Sequence, residues 1–204
     1  MANAMRNGGV LSWDELERGV RAHLERREWD AAATLAIGKL GHTMLSYVST
    51  MLAEEDAQDA LSIFRETLWK ALPRFRWECS LRAWAYRLAH HAATRILRRP
   101  HRRYEEHLPS SAPFRLAAPS LASGLRFSGR HEGLALLRAS LSIEDRELLT
   151  LRVDRELEWD EVAVVLTGDD PAARAQSSPM ALRKRYERLT RKLERMAREQ
   201  GLLD

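Results

Sequence analysis

The sequence predicts an all-α fold: two small helical domains joined by a flexible linker. Three observations predict it. Apolar residues recur at three- and four-residue steps on both sides of the chain's middle, with no alternating strand pattern among them. Composition changes at Pro100, where residues 100–130 hold four of the seven prolines, five serines and two glycines with little periodicity. Capping residues and helix breakers then fall where the periodic runs begin and end. Together these place a first domain at 12–99, a linker at 100–130 and a second domain at 131–204.

The first domain reads as four helices. Residues 1–11 carry no helical pattern and are expected to be disordered. Ser12 and Glu15 form a capping box that opens a helix to about Arg27, with Trp13, Leu16, Val20 and Leu24 as its stripe. A second helix runs from Asp30 to Leu52 through Leu35, Leu40, Leu45 and Val48, weakened by Gly38 and Gly41. A third starts with the acids around Asp56 and ends near Leu72. Pro73 breaks it, and residues 73–80 form the break. The fourth buries Leu81, Trp84, Ala85, Leu88, Ala92 and Ile96 on one stripe and repeats Arg87, His91, Arg95 and Arg98 on another face.

Beyond the linker, Leu134, Leu137 and Leu141 restart the helical pattern. Ser142 caps a helix carrying Leu148, Leu149 and Val153; a third, from Trp159 to Leu166, uses Trp159, Val162, Ala163 and Leu166 and stops at Gly168. Ser178 and Pro179 then open a long helix with Leu182, Tyr186, Leu189, Leu193 and Met196 at 4-3-4-3 spacing. Two short helices, a turn and a long basic helix make a helix-turn-helix, in which the last helix enters a DNA major groove. The turn spans residues 168–177.

Charge divides the chain more sharply than its net +4 suggests. Residues 81–103 contain seven arginines and no acid. Residues 178–200 hold eight Lys or Arg against three Glu, while 131–177 hold five Arg against eleven Asp or Glu. Two separate basic segments point to two anionic contacts, and the aromatic-then-basic order of 75–103 suits a nucleic-acid strand. With Cys79 as the single cysteine, an internal disulfide and a cysteine zinc cage are excluded. His90, His91, His101 and His107 lack a fixed ligand geometry, and no phosphate-binding glycine loop or nucleophile elbow occurs. No enzyme activity, metal or cofactor is expected. The N-terminus lacks an export signal, and no run approaches the roughly 18 apolar residues of a membrane span. A cytoplasmic protein without membrane insertion is therefore expected.

The run D-A-x-D, a helix ending W-x-A-L, then P-R-F-R-x-E-x-S-L-R-x-W-x-Y-R-x-A and a basic end resembles the second conserved region of bacterial sigma factors of the extracytoplasmic-function (group IV) class. LSIEDRELLTLRVDRELEWDEVAVVL followed by S-x-x-A-L-R-K-R-Y-x-R resembles their fourth conserved region. The resemblance implies a transcription initiation factor that brings RNA polymerase to −35/−10 promoters and melts DNA. It implies docking of Asp56, Asp59, Ser62, Ile63, Glu66 and Trp69 on the β′ clamp helices, and of the second domain on the β flap. It implies −10 contacts from Arg76, Trp77, Glu78, Ser80, Arg82, Arg87, His91, Arg95, Arg98 and Arg99. For the −35 element it implies Ser178, Met180, Ala181, Arg183, Lys184, Arg185, Glu187 and Arg188. An anti-sigma partner and a linker seated in a groove on a partner are implied as well. Trp77 stands where the family usually has glycine, and His91 and Arg95 replace a common Asn and Asp. The competing reading is a conventional helix-turn-helix regulator with an N-terminal sensing or dimerisation bundle. Such a bundle has no need of an acid-free arginine helix beside an aromatic loop.

Overall fold

The computed structural model describes residues 12–99, 136–167, 177–199 and 201. The expectations for residues 1–11, for the linker, for Leu134 and for most of the long turn lie outside them. Among the described residues every regular element is helical. The chain divides into two compact units, Met1–Ile96 and Leu97–Asp204.

The first unit contains α1 (Trp13–Glu25), α2 (Trp29–Val48), α3 (Glu54–Ala71) and α4 (Leu81–Leu97). The capping box at α1 forms in full: Glu15 N–H donates to Ser12 Oγ at 3.2 Å and Ser12 N–H to Glu15 Oε2 at 2.7 Å. The Ser12 N–H, and after it the Ser12 hydroxyl, hold the Glu15 carboxyl below its ordinary value. α1 buries Leu16 and Val20, as its stripe requires.

α2 is built differently from the expectation for its leucines. Ala32, Ala33, Ala36, Leu40, Met44, Tyr47 and Val48 are buried, whereas Leu35 and Leu45 are half-buried. Small residues line the inner face because α1 crosses closely. A Cβ on Gly19 would stand 3.0 Å from Leu35 Cδ2. α2 also stops at Val48 rather than Leu52: Thr50 Oγ1 donates to Tyr47 O at 2.7 Å, and Met51 and Leu52 N–H both turn back to Val48 O.

α3 buries Ala57, Ala60, Leu61, Phe64 and Leu68 against α2. α4 buries Leu81, Ala83, Ala85, Tyr86, Ala89, Ala92, Ala93 and Ile96. Tyr86 meets Tyr47 edge-on at 5.1 Å, an arrangement that ring quadrupoles favour. Trp84 and Leu88, assigned to the buried stripe, are half-buried. Trp84 lies in the first turn of α4 and faces the preceding loop instead.

The second unit contains α5 (Ile143–Leu149), α6 (Trp159–Leu166) and α7 (Pro179–Glu199), with residues 136–139 also helical. Ser142 caps α5 through Asp145 N–H at 3.2 Å. α5 runs into a π-helical turn, Thr150–Asp154. That wider turn shifts the register, so Val153 is 45% exposed while Leu151 and Leu157 are buried. In α6 Val162 and Val165 are buried and Leu166 is half-buried. Leu141, Leu149 and Leu189 cluster, with Tyr186 and Leu193 packed on them. Arg146 supports the approach to α5, donating to Ala139 O at 3.2 Å and Leu141 O at 3.1 Å.

Candidate nucleic-acid interface

The first unit's loop is shaped by its ends. Pro73 ends α3 in a 3-10 turn, Leu72–Arg74, and Phe75 N–H closes it on Leu72 O at 3.1 Å. Phe75 stacks on Trp84 at 4.4 Å with 21° between the planes, and Trp77 leans on Phe75 at 4.7 Å. Trp77 has φ +60°, the left-handed region where a Cβ is costly. Glycine would adopt that backbone without strain. The Arg21 guanidinium of α1 lies 4.0 Å from the Trp77 ring centroid.

The start of α4 has two side-chain caps. Ser80 Oγ accepts from Ala83 N–H at 3.1 Å, and Glu17 Oε2 of α1 accepts from Leu81 N–H at 2.9 Å. Sequence reasoning missed both Glu17 and Arg21. Their i, i+4 spacing announces a helix-surface pair, found here at 3.5 Å, but nothing local announces the reach to residues 77 and 81.

The residues assigned to the −10 contact therefore separate into groups. Arg76 and Glu78 point to solvent, 3.8 Å apart. Ser80 serves the cap. Arg82 is half-buried with its guanidinium 5.6 Å from the Trp13 ring. Arg87 and His91 are half-buried, His91 beside His90 at 5.8 Å. Arg95, Arg98 and Arg99 are exposed and form the basic end.

On α3, Asp59, Ser62, Glu66 and Trp69 are exposed, with Asp56 and Ile63 half-buried beside them, so all six occupy the face turned from the core. Trp69 is 43% exposed. Ser62 Oγ donates to Gln58 O at 3.0 Å. Lys70 bonds Glu66, and this bond and charge, aided by Arg95, hold the Glu66 carboxyl below its ordinary value.

In the second unit Ser178 Oγ accepts from Ala181 N–H at 3.3 Å and starts α7. Met180 is 68% exposed, Arg183, Lys184, Glu187 and Arg188 are exposed, and Ala181 is half-buried. Arg185 is engaged elsewhere: its Nε and Nη2 meet Asp145 Oδ1 of α5 at 2.8 and 2.7 Å. Glu187 faces Arg191 at 3.9 Å. Trp159 packs edge-on to Tyr186 at 5.5 Å, with Arg152 5.0 Å and Arg183 5.9 Å from its ring. The ends of the long turn meet where Ser177 Oγ donates to Leu166 O at 3.4 Å. Among the described residues no group of three or more His, Cys, Asp or Glu is placed to hold a metal, and no helix is long and apolar enough to cross a membrane.

Comparison with known proteins agrees with this geometry. Residues 37–104 match the family model of sigma-70 region 2. Among solved structures the fold is similar to that of CnrH in complex with the cytosolic domain of CnrY, with a TM-score of 0.58 and 18% identity, covering 91% of this chain and 99% of that one. No curated protein matches the sequence significantly. The matched region, residues 37–104, holds the loop, the acidic-headed α3 and the arginine-ended α4, and the all-helical fold is similar to that of the same solved structure over most of the chain.

Proposed function

We propose that this protein is a sigma factor of the extracytoplasmic-function class, which directs core RNA polymerase to −35/−10 promoters and opens the duplex at the −10 element. Residues 12–99 serve as the −10 and core-binding domain, 100–130 as the linker and 131–204 as the −35 domain. The observation that carries this reading is the run of exposed arginines, Arg95 in the last turn of α4 and Arg98 and Arg99 just past it, on the helix that starts at the aromatic loop. Guanidinium groups hold the phosphates, and the loop at 76–80 receives a base extruded from the stack. Extrusion costs a few kcal/mol, so a preformed receiving surface is needed.

The face of α3 bearing Asp56, Asp59, Ser62, Ile63, Glu66 and Trp69 docks on the β′ clamp helices, and the second unit meets the β flap. In α7, Met180, Ala181, Arg183, Lys184 and Glu187 face base edges while Ser178 and Arg188 contact phosphate. Arg185 holds α7 in place through Asp145. An anti-sigma protein restrains the factor when idle, and the factor acts in the cytoplasm.

The test is association with core polymerase in a pull-down titration, followed by in vitro transcription. The template is the fragment upstream of the transcript most induced on overexpression. The expected result is promoter-dependent transcript from core enzyme plus this chain alone, with Asp59→Arg weakening core binding about tenfold, the effect of ~1.4 kcal/mol. Absence of core binding would overturn the reading and leave a conventional helix-turn-helix regulator.

A further inference from the structure

We infer that Glu17 and Arg21 of α1 are positioning residues that hold the promoter-reading loop in its working shape. This rests on the −10 role proposed for the loop. The family match begins at residue 37, so α1 lies outside the region that defines the domain. Yet α1 reaches far along the sequence to the loop's C-terminal half. Glu17 Oε2 accepts the Leu81 N–H at 2.9 Å, a charge-assisted cap on the first turn of α4. Arg21, one helical turn on, is linked to Glu17 at 3.5 Å and lies 4.0 Å over the Trp77 ring.

The stack is continuous. Arg21 covers Trp77, Trp77 leans on Phe75, and Phe75 stacks on Trp84 of α4. Trp77 is the member that needs holding, because its φ of +60° disfavours a bulky side chain. A loop with glycine there adopts that backbone freely. Here the ring contacts select it, and Arg21 supplies its share from outside the loop. With Arg21 on its face, Trp77 acts as the support beneath the loop rather than as an open platform for a base. The neighbouring exposed side chains, Arg76 and Glu78, are left to meet DNA.

The experiment uses the full chain with Glu17→Ala, Arg21→Ala and Arg21→Lys. Hydrogen–deuterium exchange of the free protein reads the loop. Permanganate reactivity of the same promoter fragment, in the presence of core polymerase, reads opening. Both alanine variants should speed exchange at residues 75–83 while leaving α2 and α3 protected. Removing one exposed cation–π interaction should reduce opening by Arg21→Ala about two- to fivefold. Core affinity should be unchanged, and Arg21→Lys should restore part of the opening. Unchanged exchange at 75–83 overturns the inference, as does altered exchange with undiminished opening. A general loss of structure would lower core affinity and α2–α3 protection together, and that result also overturns it. If the wild-type chain opens no promoter with core polymerase, the −10 reading itself fails, while the exchange data still judge the hold of α1 on the loop.

Discussion

Arginine has at least three uses in this chain, set by what lies within reach of each guanidinium. Arg21 lies on a ring, Arg146 bonds two carbonyls, and Arg185 grips a carboxylate on another helix. Arg185 illustrates what sequence leaves hidden: its place in a basic helix suggests DNA, and only the fold brings Asp145 to it across forty residues. The pair is partly exposed, so its coupling should be about 0.5–1 kcal/mol. A double-mutant cycle with Arg185→Ala and Asp145→Ala, read by denaturant unfolding, should return that value; additive single effects would show that the pair contributes nothing. Glu15 offers a pH counterpart. Its folded pKa is depressed, so its stabilisation of the α1 start is present at neutral pH and is lost as the pH falls through that depressed value. An NMR titration of the Glu15 carboxyl should give a midpoint below 4.5.

Helix starts are the most legible elements, because they depend on adjacent residues. Ser12, Ser142 and Ser178 all cap as their spacing predicts. Inner faces are less legible wherever the helix departs from a leucine stripe. α2 packs through alanines, which single-sequence hydrophobicity undervalues, and the π turn after α5 sends Val153 outward. The spacing of Trp84 predicts a core residue, yet it serves the loop because the first turn of a helix has no turn before it to pack on. Gly38 is a weak point in α2 by propensity, and the structure gives it open space, with nothing within 4 Å of an added Cβ. Gly38→Ala should therefore stabilise the first unit by about 0.5–1 kcal/mol. A thermal melt showing no gain would mean that the position is constrained in some other way.

At the scale of the whole molecule, both the all-α class and the candidate surfaces are readable, since arginine clusters and caps are local signals. The part played by α1 is not readable, because a hydrogen bond between residues 17 and 81 leaves no trace in spacing. The exposed arginines just past the end of α4 carry the prediction for this scale. Arg98→Glu with Arg99→Glu should weaken promoter opening and make the slope of log affinity against log salt shallower by about two, one for each phosphate no longer neutralised. An unaltered slope would remove these two residues from the DNA interface. The pairing of Arg185 with Asp145 has a counterpart in the charge of the C-terminal half. Its acidic stretch, 131–177, more than cancels its basic helix, −6 against +5, whereas the −3 of residues 12–80 offsets less than half of the +7 of residues 81–103. For the proposed function, long-range attraction toward a duplex therefore comes chiefly from the N-terminal half. The proposed role then predicts that in dilute buffer this half governs how fast the protein is captured, while the C-terminal half contributes mainly to how long it stays.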